Sequence, residues 1–175
     1  WTEADEKGFG EFVRAIAESG CTTTAACMRR PANPYRASDP AGLEFKMDCA
    51  KWAYGLRAYY AWKNGLPFGY VNAISGQTSE KSNDIRFSDK GNRILSRRDL
   101  VDRGNGLPVL AVFPELGDNV FSATYRTDAA QSEQSDFYSP RIQPGSIRPG
   151  TVIYDINGHV AIVYAVEADG RVRYM

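Results

Sequence analysis

Apolar residues recur at steps of three and four through the segment TEADEKGFGEFVRAIAES, residues 2–19. This spacing places them on one face of a helix and predicts an amphipathic α-helix. Acidic residues crowd its start, where the helix dipole favours negative charge, and Gly20 is a typical residue for its end. The apolar stripe consists of Phe9, Phe12, Val13, Ile16 and Ala17.

A second helix is predicted to begin at Cys49, because Asp48 is a good N-cap residue and an apolar face follows. Gly65 and Pro67 should end this helix. Cys49 then lies in the first turn, where unpaired backbone N–H groups and the positive end of the dipole can stabilise a thiolate. The predicted face consists of Cys49, Trp52, Ala53, Leu56, Tyr59 and Tyr60.

The last 25 residues alternate between apolar and polar positions and contain two turn signals, Asn157-Gly158 and Asp169-Gly170. The segments TVIYDI, HVAIVYAVE and RVRYM are therefore predicted to form three consecutive antiparallel strands. His159, the only histidine of the chain, comes directly after the first of these turns and opens the middle strand.

The remaining regions show weaker patterns. Residues 22–47 contain three prolines and few periodic apolar positions, which indicates a loop. Within 70–147, LPVLAVF and NVFSATYRT look like strands, and the mixed charges of RILSRRDLVDR indicate a solvated helix or loop. We interpret 70–147 as an insertion packed on the main sheet, where it can shape a cleft.

Length and composition favour a single domain spanning 1–175, since 175 residues with 43% apolar residues can bury a sizeable core. Lys plus Arg and Asp plus Glu both number 21, so charge gives no case for a nucleic-acid or anionic-membrane partner. We also expect no membrane span, no cofactor, no metal and a monomer. Because the sequence begins at Trp1, we expect that a preceding segment was removed, and a signal peptide or an expression boundary both fit.

Three cysteines leave at least one thiol unpaired in a monomer. Cys21 and Cys27 are close in the small-residue segment CTTTAAC. They can close a short disulfide in an oxidising compartment or remain two half-buried thiols. In the first case Cys49 is the free cysteine.

Cys49 and His159 together form a candidate catalytic pair. A cysteine nucleophile needs a base within hydrogen-bond reach and a third group that orients the base. A cysteine at a helix N-terminus and a histidine on a neighbouring strand form a papain-type arrangement. A solvent-exposed turn histidine is the alternative reading of His159.

Two segments resemble NlpC-type cell-wall peptidases, which are papain-like cysteine hydrolases. NPYRASDPAGLEFKMDCAKWAY resembles the entry to their catalytic helix, where a Pro-Tyr pair, a loop and then Asp-Cys follow in order. IRPGTVIYDINGHVAIVYAV resembles the later part of the motif, in which Pro-Gly leads into a strand and Gly-His opens the next one. The resemblance covers roughly residues 30–65 and 145–175.

The resemblance implies Cys49 as the nucleophile, His159 as the base and Tyr35 near the oxyanion. It also implies an α+β papain-like fold of the NlpC type, with N-terminal helices packed on a C-terminal antiparallel sheet. The chain departs from the family's pattern in having Ala50 and Lys51 after the cysteine and a long insertion before the histidine. Tyr174 falls near the register of the family's third polar residue, which can also lie beyond Met175.

The sequence therefore predicts an enzyme, a thiol hydrolase that cleaves amide bonds in peptides or in peptidoglycan stems. Two alternatives remain open. The first is an acyltransferase or toxin-like amidase on the same scaffold, and the second is a catalytically inactive binding domain. A cell-wall substrate implies a periplasmic or secreted location.

Overall fold

The computed structural model describes residues 1–77, 84–100, 107–155 and 157–175. It is a mixed α/β structure with small antiparallel sheets. The helices of the described part are α1 (Glu3–Glu18), α2 (Thr24–Arg29), α3 (Cys49–Lys63) and α4 (Val109–Asn119). Its strands are β1 (Phe68–Ser75), β2 (Arg93–Leu100), β3 (Val152–Tyr154), β4 (Val160–Val166) and β5 (Val172–Tyr174).

Helix α1 confirms the first predicted helix. A capping box forms at its start, in which the Thr2 side chain accepts from the Asp5 N–H while the Asp5 carboxylate accepts from the Thr2 N–H. Phe9, Phe12 and Ile16 are buried on one face, as the three- and four-residue spacing predicts.

Helix α3 confirms the second predicted helix, and it is the central element of the core. Its first residue is Cys49, its N-cap is Asp48, and Tyr59 and Leu56 are completely buried. Both α1 and β4 pack against it. Burial on several sides of α3 explains why its sequence is apolar over much of the helix surface.

The C-terminal strands form an antiparallel sheet in the order β3-β4-β5, as predicted. Tyr154 pairs with Val160 and Val152 pairs with Ile162, so these four side chains share one face of the β3–β4 pair. Val160 and Ile162 are buried, which directs this face toward the core. Ile156, the last residue of TVIYDI, lies outside the described residues.

The middle of the chain corrects three predictions. The segment LPVLAVF begins α4, because Val109, Val112, Phe113 and Leu116 are buried at helical spacing. NVFSATYRT contains a 3-10 helix, Ser122–Tyr125, in place of a strand. The basic segment RILSRRDLVDR forms β2, which pairs with β1 in a separate two-stranded sheet, and its residues 101–103 lie outside the described residues.

The predicted insertion begins inside β1, whose Tyr70 and Val71 belong to the buried interior. Its residues 78–83 and 101–106 lie outside the described residues. The loop predicted for 22–47 contains α2, which the Thr23 side chain caps. About half of the chain length separates the end of α3 from the start of β3, the first strand of the sheet that packs on it.

Candidate active site

Cys49 is the first residue of α3, and its side chain is exposed. The Asp48 carboxylate accepts a hydrogen bond from the Lys51 N–H at 3.1 Å, which fixes the start of the helix. Cys49 is a free thiol, while Cys21 and Cys27 form a disulfide. The exposed thiol therefore lies in a rigid, capped first turn.

Lys51 contacts Asp48 rather than Cys49 in this turn. Its Nζ lies 2.5 Å from Asp48 Oδ2. Partial burial acts to raise the pKa of the Asp48 carboxyl, but the hydrogen bonds from Lys51 outweigh it and lower that pKa. The lysine charge is thus engaged by the N-cap carboxylate.

His159 immediately precedes β4 and is exposed. Its carbonyl accepts a hydrogen bond from the Asp155 N–H at 2.9 Å, which closes the end of the β3–β4 hairpin. The preceding Gly158 has a φ of 80°, a conformation that side chains disfavour, and a Cβ there would come within 3.2 Å of Arg86. Glycine therefore suits the turn that leads into His159, and a larger residue at position 158 would be strained.

Tyr125 connects the two elements that carry Cys49 and His159. Its hydroxyl donates to the Ala50 carbonyl in the first turn of α3. Its ring stacks on Tyr154 with centroids 6.5 Å apart, and Tyr154 is the strand partner of Val160, the residue after His159. The sequence pattern predicts a strand at Tyr125, and no local signal indicates its contact with α3.

Burial strongly raises the pKa of the Tyr125 hydroxyl, and negative charge at Cys49, Asp136 and Asp48 raises it further. Tyr125 is therefore a neutral hydrogen-bond donor near neutral pH.

Within the described residues, no hydrogen bond joins the Cys49 sulfur to the His159 ring. Neither side chain donates to or accepts from another described residue. The structure thus brings the two elements together around Tyr125 and leaves both candidate side chains exposed to solvent.

Tyr35 lies at the opposite end of α3 from Cys49. Its hydroxyl and the Asn64 side-chain amide are hydrogen-bonded at 3.3 Å, and Asn64 is the C-cap of the helix. Fifteen helical residues span about 22 Å. The expectation that Tyr35 lies near the oxyanion does not fit this position, and Tyr35 is left out of the candidate site.

Tyr174 does not reach His159 either. It pairs with Val163 in the β4–β5 register, four residues beyond His159 and about 13 Å along the strand. Its side chain is also exposed. Tyr174 therefore does not fit the role of the group that orients the histidine.

A buried carboxylate lies on the other side of Tyr125. Asp136 accepts hydrogen bonds from the Tyr54 hydroxyl at 2.6 Å and the Val71 N–H at 2.7 Å, and it forms an ion pair with Arg97. Burial raises the pKa of Tyr54, and the Asp136 charge adds to this shift. These contacts satisfy the carboxylate and hold Tyr54 in place.

A cavity of about 470 Å³ opens beside these tyrosines, between α3, β3 and the segment 135–150. Ala53, one helical turn after Cys49, lies in its wall together with Tyr125 and Tyr154. The lining does not include Cys49 or His159. The cavity therefore lies against the helix that carries Cys49 and the strand that precedes His159, but neither candidate side chain lines it.

Comparison of the chain with protein-family models, curated proteins and solved structures finds no match. None of the helices in the described ranges is long and apolar enough to cross a membrane. Across the same ranges, His, Cys, Asp and Glu side chains form no group of three or more that could hold a metal ion.

Proposed function

We propose that the protein is a thiol hydrolase of papain-like, NlpC-type architecture that cleaves amide bonds in peptides or peptidoglycan stems. Cys49 is the nucleophile and His159 is the base. The observation that carries the proposal is the position of Tyr125, which contacts both the first turn of α3 and Tyr154 beside the start of β4.

The proposed reaction has two stages. The Cys49 thiolate attacks the carbonyl carbon, a C–S bond forms, and the C–N bond breaks as His159 gives a proton to the leaving amine. Water then attacks the thioester while His159 takes its proton, which releases the carboxylic acid and the free cysteine. The backbone N–H groups of the first turn of α3 are suited to stabilise the oxyanion in both stages.

The exposure of both side chains supports this assignment, because substrate must reach the sulfur and the imidazole. Hydrogen bonds in catalytic pairs are often long or misaligned in the absence of substrate and tighten when it binds. Capping of α3 by Asp48 and the hairpin closure before His159 keep the two elements rigid, as a catalytic pair requires.

The Cys21–Cys27 disulfide supports a proposed periplasmic or secreted location, since disulfides persist mainly in oxidising compartments. A monomer acting on a peptide-containing substrate fits an exposed pair beside a cavity. Peptidoglycan stems are proposed from the sequence resemblance alone.

Hydrolysis of purified muropeptides and of a peptide library tests the proposed function, with products identified by mass spectrometry. The wild-type protein should release new carboxyl and amino ends, and Cys49→Ala and His159→Ala should each abolish cleavage while retaining the native circular dichroism spectrum. The combined variant should be no worse than either alone, because the two residues act as a unit.

Two results would contradict the proposal. Full cleavage by Cys49→Ala would exclude this nucleophile. Transfer of the acyl group to an added amine, with no hydrolysis in its absence, would establish an acyltransferase instead.

A further inference from the structure

The cavity beside Tyr125 combines aromatic walls with arginine side chains. Three arginines line it, Arg57, Arg97 and Arg148, together with the acidic residues Glu6 and Asp136. Its aromatic lining includes Trp1, Phe9, Tyr54, Tyr125, Phe137 and Tyr154.

Two of the three arginines are already neutralised. Arg57 holds Glu6 through two hydrogen bonds of 2.6 and 2.7 Å and lies over the Trp1 ring. Arg97 pairs with the buried Asp136. The carboxylates of Glu6 and Asp136 are thus each paired with an arginine side chain.

Arg148 differs from the other two. Its residue is exposed, and within the described residues its guanidinium makes no hydrogen bond and no ion pair. The hydrogen bonds from Arg57 lower the pKa of the Glu6 carboxyl, and the Arg148 charge adds to this shift without a direct contact. In the described part of the chain, neither acidic residue of the lining pairs directly with the Arg148 guanidinium. A guanidinium in this state is suited to bind a carboxylate through two parallel hydrogen bonds.

The position of the cavity relates it to Cys49. Ala53 and Arg57, which follow Cys49 at steps of four residues, line its wall on α3. A molecule lying along this wall extends toward the first turn of the helix. The group bound in the cavity would then be joined to the carbonyl that Cys49 attacks.

We infer that the cavity is a substrate subsite for an acyl group that combines an aromatic or other apolar body with a carboxylate, and that Arg148 binds this carboxylate. The assignment of the cavity as a subsite rests on the proposed function. Binding in the cavity is measurable without any reaction at Cys49.

Isothermal titration calorimetry with 3-phenylpropionate, 3-phenylpropanamide and propionate tests this inference. The amide keeps the ring without the charge, and propionate keeps the charge without the ring. Wild-type protein should bind 3-phenylpropionate about fivefold more tightly than the amide, the size expected for one partly exposed charge contact. It should also bind 3-phenylpropionate more tightly than propionate, because propionate lacks the ring that the aromatic walls contact.

Arg148→Gln should remove the preference for the carboxylate over the amide, while Arg148→Lys should retain part of it because the charge remains. Arg141→Gln is the matched control, because Arg141 is an exposed arginine of the same segment that does not line the cavity. This variant should bind all three compounds like the wild-type protein.

Equal affinity for the acid and the amide, or an unchanged preference in Arg148→Gln, would overturn the inference. So would the absence of any binding heat at millimolar probe concentrations. If muropeptides and peptides are cleaved but no probe binds, the subsite alone is wrong. If the probes bind as expected but nothing is cleaved, the cavity is still a site for apolar carboxylates, and the proposed hydrolase function is wrong.

Discussion

The Tyr125 hydroxyl forms one hydrogen bond that joins the 3-10 helix Ser122–Tyr125 to the first turn of α3. The same ring contacts Phe137 with centroids 4.7 Å apart and Tyr154 at 6.5 Å. A single side chain thus contacts the helix of Cys49, the cavity wall and the hairpin of His159. It is a positioning residue in the proposed mechanism.

Tyr125→Phe should lower the free energy of unfolding by about 1 kcal/mol, because it removes the hydrogen bond to Ala50 and keeps the ring. It should also slow peptide hydrolysis more than it changes KM. Urea denaturation and steady-state kinetics measure the two effects. Tyr174→Phe is the control, since Tyr174 is exposed and does not line the cavity, and equal effects in both variants would contradict this role.

Tyr35→Phe tests whether Tyr35 takes part in the reaction. Because the Tyr35 hydroxyl contacts Asn64 at the far end of α3, this variant should leave hydrolysis within about twofold of wild type. A loss comparable to that of His159→Ala would return Tyr35 to the catalytic site. Initial rates at saturating and limiting substrate measure the comparison.

At the scale of elements, the N-terminus of α3 depends on Asp48. Asp48→Ala should lower the free energy of unfolding by about 1 kcal/mol and should also slow alkylation of Cys49, because the first turn frays. Thr2→Ala is the matched control. It removes the cap of α1 at similar cost and should leave the reactivity of Cys49 unchanged.

The Asp48 cap should also depend on pH. The folded pKa of this carboxyl lies below its unfolded value, so its stabilising effect is present above about pH 4 and is lost as the pH falls through the folded pKa. The difference in unfolding free energy between wild type and Asp48→Ala should therefore shrink below about pH 4. A difference that grows in acid would contradict the assignment.

Helices α1 and α3 and strands β3 to β5 were predictable because each has an uninterrupted period and a recognisable cap or turn. Helix α4 was missed because LPVLAVF ends before Leu116, the fourth buried residue of its helical stripe. Strand β2 was missed because its arginines are neutralised by Asp136 and Glu115, which are distant in sequence. Cys49 could be located from local pattern, whereas Tyr125 acquires its role only through long-range packing.

At the scale of the whole molecule, the Cys21–Cys27 disulfide closes a loop with a sequence separation of six, next to the packed end of α1. Replacing both cysteines by serine should lower the free energy of unfolding by about 2 kcal/mol, as expected for so short a loop. Intact mass under non-reducing conditions should show one disulfide and one free thiol. Three free thiols in protein isolated from an oxidising compartment would contradict the pairing.

Cys49 and His159 come from distant parts of the chain, and the proposed mechanism needs the fold to bring them together. This mechanism requires that His159 promotes the thiolate form of Cys49 across the space beside Tyr125. This relation is measurable without knowledge of the substrate, because only the thiolate is alkylated by iodoacetamide.

The most direct measurement is the rate of Cys49 alkylation as a function of pH in the wild-type protein, in His159→Ala and in a free thiol peptide. At about pH 6 the wild-type protein should react at least about tenfold faster than the peptide. His159→Ala should lose most of that advantage while remaining folded. A wild-type profile that matches the peptide, or one that His159→Ala leaves unchanged, would contradict the proposed catalytic pair.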